Sequence, residues 1–336
     1  MHAHDWPAAL APAYIAWRGQ HIPTLFTIHN LGHQGIFDAD CSRELGIPPE
    51  AFAHDGVEFH GKLSFLKAGI VYASHITTVS KTYAREIISP EQGCGMDGIL
   101  KYKADQGLLT GIINRIDESW EPTADPHLLQ SLVDTDWQGK AVHRRYVEQK
   151  FGLDTAEGPL FVVVSRIVQQ KGIDLTREVA SAIVEAGGQI AVIGRGEPEL
   201  EASTLELAAR YPGRIGVDSG FNELDARRMF AGSDFLLMPS RFEPCGLSQM
   251  YPQRFGSLPI ATRTGGLADT IEDGVTGFLF NESNVSSYMQ AIQRAFNVHQ
   301  WAELLNALRR TAMVIDQHAD GIIDKRRGFP ARLIGR

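Results

Sequence analysis

The feature that most constrains the fold is a regular alternation of short apolar runs and longer amphipathic stretches between residues 160 and 296. The apolar runs have the length and composition of buried parallel strands, and the stretches between them are long enough for helices. Such alternation predicts a doubly wound, Rossmann-like α/β domain. Strands are predicted near 160–166, 189–194, 214–218, 235–239, 258–262 and 277–280, and helices near 175–186, 199–211, 223–231, 247–255 and 285–296.

The first part of the chain shows a less regular pattern of the same α/β type. Asp5 or a neighbour is predicted to cap a helix that runs through Trp17, and a strand at 24–28 ends in His29 and Asn30. The other predicted elements are helices at 62–73 and 82–88, strands at 75–80 and 108–113, a flexible glycine-rich loop at 93–98, and a polar passage between domains at 123–158.

One loop of the second domain combines a carboxylate with a predicted helix start. Glu243 follows the apolar run 235–239, and Gly246 precedes the predicted helix at 247–255. In open α/β sheets ligands bind outside the carboxyl ends of the strands, and a helix N-terminus there offers free N–H groups to a phosphate. The alternative is an ordinary strand-to-helix turn, in which Pro244 and Gly246 supply backbone geometry.

A second loop carries two cations, Arg166 and Lys171, just past the predicted strand at 160–166. An arginine can form a fork with two oxygens and a lysine acts as a point charge, so the pair suits a diphosphate. A pair of solvated surface charges is the alternative. The residues 194–196, Gly-Arg-Gly, form only half of a dinucleotide fingerprint and indicate NAD binding weakly.

Taken together, three motifs resemble those of the bacterial glycogen (starch) synthases, and the resemblance extends from about residue 2 to about residue 313. The motifs are Ser165-Arg166 with Gln170-Lys171-Gly172, the run Pro239-Ser240-Arg241-Phe242-Glu243-Pro244-Cys245-Gly246-Leu247, and the run Arg263-Thr264-Gly265-Gly266-Leu267-Ala268-Asp269-Thr270. The resemblance implies a glycosyltransferase-B fold with two Rossmann-like lobes, the N-terminal lobe being incomplete. It also implies retaining transfer of glucose from ADP-glucose to the non-reducing end of an α-1,4-glucan, in glycogen biosynthesis.

The resemblance divides the chain into a partial N-terminal catalytic domain (1–150), a C-terminal nucleotide-sugar-binding domain (151–313) and a divergent tail (314–336). It places Glu243, His29 and Asp5 at the donor sugar and Arg166 and Lys171 at the departing ADP, with no metal and no cofactor. The remaining substrate-binding residues that it implies are Asn30, Asn114, Gln170, Phe221 with its ring on adenine, Cys245, Gly246, Leu247 and Ser248.

Three positions depart from the expected pattern. Arg115 stands where the family has glycine, and if that position needs positive φ the arginine is strained by roughly 1 kcal/mol or more. Pro252 falls inside the predicted helix at 247–255, so that helix is expected to be kinked or to begin only after it. Tyr251 stands where many retaining transferases carry a second glutamate, as it does in the synthases, which leaves Glu243 without a partner carboxylate.

Both ends of the sequence also differ from the family. The opening segment with its Lys-x-Gly-Gly-Leu loop is not found, and a Lys/Arg/Gly-rich stretch follows residue 313. A truncated product with little or no synthase activity is therefore expected. Two alternatives are a phosphorylase-like transferase, although no pyridoxal-phosphate lysine motif is found, and a non-catalytic remnant that binds a nucleotide sugar or a glucan.

Composition is consistent with a cytoplasmic enzyme of two domains. The 336 residues include 43% hydrophobic residues, and the formal net charge of −8 makes nucleic acid an unfavourable partner. The three cysteines, Cys41, Cys94 and Cys245, are too few and too scattered for a disulfide framework. No signal peptide and no apolar run of membrane-spanning length is found, so no membrane partner is expected.

Overall fold

The computed structural model describes residues 1–133 and 136–314, which are built around two parallel sheets. In chain order the strands are β1 (His2–His4), β2 (Leu25–Ile28), β3 (Ile36–Phe37), β4 (Glu58–Phe59), β5 (Lys62–Ser64), β6 (His75–Thr78), β7 (Leu109–Gly111), β8 (Leu160–Val164), β9 (Gln189–Ile193), β10 (Ile215–Asp218), β11 (Phe235–Met238), β12 (Leu258–Thr262) and β13 (Phe278–Phe280). The helices are α1 (Asp5–Ala8), α2 (Leu10–Trp17), α3 (Cys41–Glu44), α4 (Phe65–Tyr72), α5 (Lys81–Glu86), α6 (Asp97–Asp105), α7 (Gln138–Phe151), α8 (Ile173–Glu185), α9 (Pro198–Arg210), α10 (Glu223–Gly232), α11 (Leu247–Arg254), α12 (Gly265–Thr270), α13 (Val285–His299) and α14 (Ala302–Met313).

The first lobe, as we define it, is the parallel sheet β1-β2-β6-β7 with the helices that cover it. Its core contains Phe26 and Ile28 from β2, Ile76 from β6, and Leu66 and Ile70 from α4, all fully buried. β1 was not predicted, because three residues that include two exposed histidines carry no apolar strand signal. Its role as a strand depends on pairing with β2.

Two predicted element boundaries in the first lobe need correction. The helix expected at 62–73 begins at Phe65, because the Ser64 hydroxyl accepts a hydrogen bond from Lys67 N (3.2 Å) and so caps the helix there. The three residues before it form β5, the middle strand of a small antiparallel sheet β3-β5-β4. The loop expected at 93–98 is shorter, since helix α6 already begins at Asp97.

The second lobe is the six-stranded parallel sheet β10-β9-β8-β11-β12-β13 with its covering helices. The predicted alternation of strands and helices is confirmed, and both faces of the sheet are buried under apolar clusters. β8 and β11 are neighbours at the centre of the sheet. From β8 the strand order continues through β9 and β10 to one edge, and from β11 it continues through β12 and β13 to the other edge. Such a switch point opens a crevice at the carboxyl ends of β8 and β11, where open α/β sheets bind ligands.

The polar stretch 123–158, interpreted as a passage between domains, contains the helix α7. This helix packs against α10 through Val147 and Phe151, and the Lys140 ammonium donates to Ala231 O and Phe255 O, each at 3.1 Å. The sequence of α7 is mostly polar and does not indicate a buried face, but packing against α10 buries one. A division of the chain at residue 150 remains a proposal, and this packing favours a boundary ahead of Gln138. The tail at 314–336 lies outside the described residues, apart from Val314.

Helix α11 contains Pro252, so the expectation that it begins only after this proline is wrong. Proline lacks the N–H that would bond to the carbonyl of Ser248 four residues earlier. The helix is only eight residues long, so the missing bond affects a single carbonyl near its N-terminus. The tyrosine before it, Tyr251, stacks on Trp120 with ring centroids 3.8 Å apart.

We expect stability to fall in mild acid because of a buried imidazole in α7. His143 is fully buried, its Nδ1 donates to Gly139 O (2.7 Å), and its Nε2 accepts from Leu129 N (3.0 Å). Burial lowers the pKa of His143 below its ordinary 6.5, so the unfolded chain binds the proton more readily than the folded chain. The stabilisation is complete above about pH 6.5 and is lost, by at most about 1.4 kcal/mol per pH unit, as pH falls towards the folded pKa.

Urea denaturation at pH 7.5 and pH 5.0 measures this effect. His143→Gln should show a smaller drop in unfolding free energy between the two pH values than the unmodified chain. His299, whose pKa burial also lowers, keeps part of the dependence in both proteins. His21→Gln, at an exposed position, is the matched control and should behave as the unmodified chain. An undiminished drop in His143→Gln would contradict the assignment.

Candidate active site

The predicted acid and one predicted cation meet at the carboxyl ends of β8 and β11. After β8 a short 3-10 turn ends at Lys171, and the Lys171 ammonium forms an ion pair with Glu243 Oε2. The Ser240 hydroxyl donates to the same carboxylate oxygen at 3.2 Å. Glu243 is 7% exposed, so this is a nearly buried ion pair at the switch point of the sheet.

Arg241 joins the two loops that carry this pair. Its backbone N–H donates to Gln170 O (2.9 Å), and its guanidinium forms two bonds to the Asp174 carboxylate (2.9 and 2.5 Å). Hydrogen bonding to this guanidinium holds the pKa of Asp174 below its ordinary value. The Gln170 amide adds a bond to Phe242 O at 3.3 Å. Sequence reasoning missed both Arg241 and Asp174 as braces, although Arg241 lies inside the motif that carries Glu243.

The N-terminus of α11 lies beside the ion pair. Gly246 is its N-cap with φ of +68°, and a Cβ at this position would lie 2.4 Å from Gln249 Oε1 and 2.9 Å from Glu243 Cγ. Only glycine fits this turn, which leaves the first N–H groups of α11 directed out of its end. Ser248 and Lys171 line the same small cavity at the carboxyl ends of the strands.

Cys245, in the same loop, is buried, as Glu243 is. Burial raises the pKa of its thiol to about 11, and Asn114 of the first lobe hydrogen-bonds to it. The group is therefore a neutral thiol at physiological pH and serves packing, not nucleophilic attack. The strain expected at Arg115 is not found, because the non-glycine residues with positive φ among those described are Asp5, His60 and Cys94.

In the first lobe, the predicted sugar-site residues gather at the end of β2. The backbone N–H of His29 donates to Asp5 Oδ1 (2.7 Å), and Nε2 of the His29 imidazole hydrogen-bonds to His4 Nδ1 (2.9 Å). Asp5 does not cap helix α1 with its side chain as expected; it holds the β2 turn and has φ of +53°. Left-handed backbone of this kind costs roughly 1–2 kcal/mol in a non-glycine residue and is frequent at functional sites. Asn30 Oδ1 accepts from Gly32 N (2.9 Å) within the same turn.

The outer part of the crevice carries two exposed candidates. Phe221 follows β10 and is 68% exposed, which leaves its ring face accessible to a flat ligand. The Arg166 guanidinium is also exposed and lies 3.5 Å from Gln170 Oε1.

The half fingerprint at 194–196 has a packing explanation. A Cβ at Gly194 would lie 1.9 Å from Ser165 O, and one at Gly196 would lie 2.0 Å from Ile167 O. The Gly196 N–H donates to Glu201 Oε1 at 2.5 Å, so it is already occupied.

The two lobes meet at this site. Cys245, Leu247 and Met250 from the second lobe pack in the same cluster as Ile28 and Leu31 of the first. The end of β2 and the Glu243 loop therefore lie against one shared apolar surface. Within the ranges 1–133 and 136–314, no group of three or more His, Cys, Asp or Glu side chains is arranged to hold a metal ion.

Comparison with known proteins identifies the family. The starch synthase catalytic domain model matches residues 1–102, and the model of glycosyl transferases group 1 matches residues 148–312. The structure superposes on the catalytic domain of starch synthase IV from Arabidopsis thaliana bound to ADP and acarbose, with a TM-score of 0.86 and 30% identity, over 94% of this chain and 69% of that chain. The chain belongs to the glycogen (starch) synthase family.

Curated bacterial members of the glycogen synthase family are more similar in sequence. Glycogen synthase of Pseudomonas putida is 67% identical over 313 residues, which are 93% of this chain and 60% of the relative. Glycogen synthase of Pseudomonas aeruginosa is 62% identical, with 93% of this chain and 61% of the relative covered. The chain thus spans about 60% of the length of these glycogen synthases.

More distant likenesses show the fold alone. The sucrose-phosphate synthase of Thermosynechococcus elongatus aligns with a TM-score of 0.60 at 18% identity, and Anabaena HepE in complex with UDP aligns at 0.61 and 14%. The predicted glycosyltransferase-B fold and the predicted glycogen synthase family are confirmed. The role of each site residue stays a prediction.

Proposed function

We propose that this chain carries the catalytic machinery for retaining transfer of glucose from ADP-glucose to the non-reducing end of an α-1,4-glucan. The observation that carries the proposal is the nearly buried Lys171–Glu243 pair beside the N-terminus of α11, at the switch point of the sheet. The relatives named glycogen synthase, and the starch synthase IV structure bound to ADP and acarbose, support this choice of donor and acceptor.

The second lobe would hold the nucleotide. Arg166 and Lys171 would neutralise the diphosphate, and the N–H groups at Gly246, Leu247 and Ser248 would bind its distal phosphate at the start of α11. The exposed Phe221 ring would pack on adenine. Gln170 would contribute through its hydrogen bond to the Phe242 carbonyl. This bond would keep the neighbouring Glu243 in position beside the phosphates.

The transfer itself breaks the bond between the anomeric carbon and the phosphate oxygen and forms a bond to the 4-hydroxyl oxygen of the glucan end. ADP leaves from the same face of the sugar on which the new bond forms, so the configuration is retained. The acceptor hydroxyl is then next to the departing phosphate and passes its proton to it. Glu243 would orient the glucose hydroxyls and stabilise positive charge at the anomeric carbon. His29, Asp5, Asn30 and Asn114 would hold the sugar from the first lobe.

A cytoplasmic location is part of the proposal and is supported by Cys41, Cys94 and Cys245, which are free thiols. None of the helices in the described residues has the length and apolar character needed to cross a membrane.

We expect Lys171→Ala to weaken ADP binding about 5- to 150-fold, the range for a charge-assisted contact worth about 1–3 kcal/mol. Lys171 is already ordered by Glu243, so it exchanges one anionic partner for another on binding. Calorimetric titration of the chain with ADP, and in parallel with UDP, measures the loss. Lys101→Ala is the matched control, because Lys101 is an exposed lysine of α6 paired only with Asp105 among the described ion pairs. Unchanged affinity removes Lys171 from the site, and tighter binding of UDP revises the donor.

A further inference from the structure

The two lobes hold one another through reciprocal contacts at helix N-termini. Asp269, in α12 of the second lobe, accepts hydrogen bonds from Thr82 N (2.8 Å) and the Thr82 hydroxyl (2.6 Å) at the start of α5 in the first lobe. In the opposite direction, Glu86 of α5 accepts from Gly265 N (3.0 and 3.1 Å) and from the Thr264 hydroxyl (3.1 Å) at the start of α12. We call these two carboxylates and their partners the clasp.

Each carboxylate of the clasp lies where a helix favours negative charge. The first N–H groups of a helix have no intrahelical partner and carry partial positive charge. Thr264, the N-cap of α12, makes no capping bond with its own side chain, so the Gly265 N–H obtains its partner from Glu86 of the other lobe. Charge-assisted bonds of this kind are about twice as strong as neutral ones.

Both helices of the clasp also hold a half of the proposed sugar site. In the second lobe, the Gly266 N–H of α12 donates to Glu243 O at 2.9 Å. In the first lobe, the Tyr83 hydroxyl of α5 accepts from Leu31 N at 3.0 Å and so fixes the turn that follows His29. A chain of hydrogen bonds and short helices therefore runs from the His29 turn, through the clasp, to the backbone of Glu243.

We propose that Glu86 and Asp269 are positioning residues, which set the distance between the His29 turn and Glu243 by joining α5 to α12. The inference rests on the proposed function, because it concerns the same site. Neither carboxylate touches the proposed substrate; each acts through a helix. We expect loss of the clasp to separate the lobes. It should leave ADP binding in place, because the proposed nucleotide contacts all lie in the second lobe.

The test measures lobe separation and ADP binding in the same variants. Spin labels are placed by Glu50→Cys in the first lobe and Glu206→Cys in the second, both exposed, after Cys41 and Cys94 are replaced by serine. The clasp variant is Glu86→Ala with Asp269→Ala. We expect the distances between the two labels to be longer and more broadly distributed than with the unmodified clasp. The ADP dissociation constant should change by less than about threefold, which is less than the loss of one charge-assisted hydrogen bond would cause.

Two further variants make the result specific. Asp269→Asn keeps an oxygen that can accept from the Thr82 N–H, so it should retain a shorter distance than Asp269→Ala. Glu91→Ala, an exposed acid on the same lobe as Glu86, is the control and should leave the distance unchanged. In full-length Pseudomonas putida glycogen synthase, the matching clasp substitutions should lower kcat at least tenfold with little change in KM for ADP-glucose.

An unchanged distance distribution in the Glu86→Ala/Asp269→Ala variant would overturn the proposal. Separated lobes with unchanged kcat in the full-length relative would also overturn it, since the clasp would then not position the reacting groups. Failure of the unmodified chain to bind ADP would count against the proposed function, and the distance measurement would still decide whether the clasp holds the lobes.

Discussion

Glu243→Gln should lower glucose transfer at least about a hundredfold and leave ADP affinity unchanged or tighter. Groups that stabilise charge at the reacting centre act on the transition state, and loss of one costs about 10²–10³ in turnover. The expected ADP affinity follows from the ion pair between Glu243 and Lys171. In the unliganded protein the Glu243 carboxylate competes with a phosphate for the same ammonium, and glutamine does not.

Turnover is measured as incorporation of labelled glucose from ADP-glucose into glycogen, beside calorimetric titration of ADP. The substitution is made in this chain and at the aligned position of full-length Pseudomonas putida glycogen synthase, a relative 67% identical to this chain that serves as the full-length reference. Glu178→Gln, an exposed acid on α8, is the control and should change neither quantity. Parallel losses of turnover and ADP affinity would make Glu243 a structural residue of its loop.

Gly266→Ala should destabilise the protein by about 3 kcal/mol or more, the upper range for forcing extra atoms into a packed site. A Cβ on Gly266 would lie 1.8 Å from Cys245 O and 2.4 Å from Cys245 C, and backbone atoms cannot move aside as a flexible side chain can. The Gly266 N–H also donates to Glu243 O at 2.9 Å, so any shift moves the proposed catalytic loop. Activity should therefore fall together with stability.

Urea denaturation of Gly266→Ala beside Gly98→Ala tests this expectation. Gly98 lies in helix α6, and a Cβ there would meet no atom within 4 Å. That control should be neutral or more stable by up to about 1 kcal/mol, because alanine favours the helix. Equal stability of the two variants would show that α12 can move away from the Glu243 loop without cost.

Much of the second lobe was predictable because its strands are buried on both faces. Runs such as 160–164 and 235–238 are apolar throughout, and the helices between them show a one-sided pattern, so their sequence reports their burial directly. Helix α7 gave no such signal, because its charged side chains Lys140 and Arg144 find buried partners in other elements. Strand β1 was missed for a similar reason: its pairing with β2 defines it, and its composition does not.

The sequence by itself determined the kinds of elements, the family, and the presence of an acid, a cation and a helix start after two parallel strands. Only the tertiary structure decided which groups meet. β8 and β11 are adjacent in the sheet although 70 residues separate them in the chain, and this adjacency joins Lys171 to Glu243. The clasp joins residues 178 to 187 positions apart. The physical reason is that local apolar patterns record which face of an element is buried, whereas the choice of partner depends on how the lobes pack.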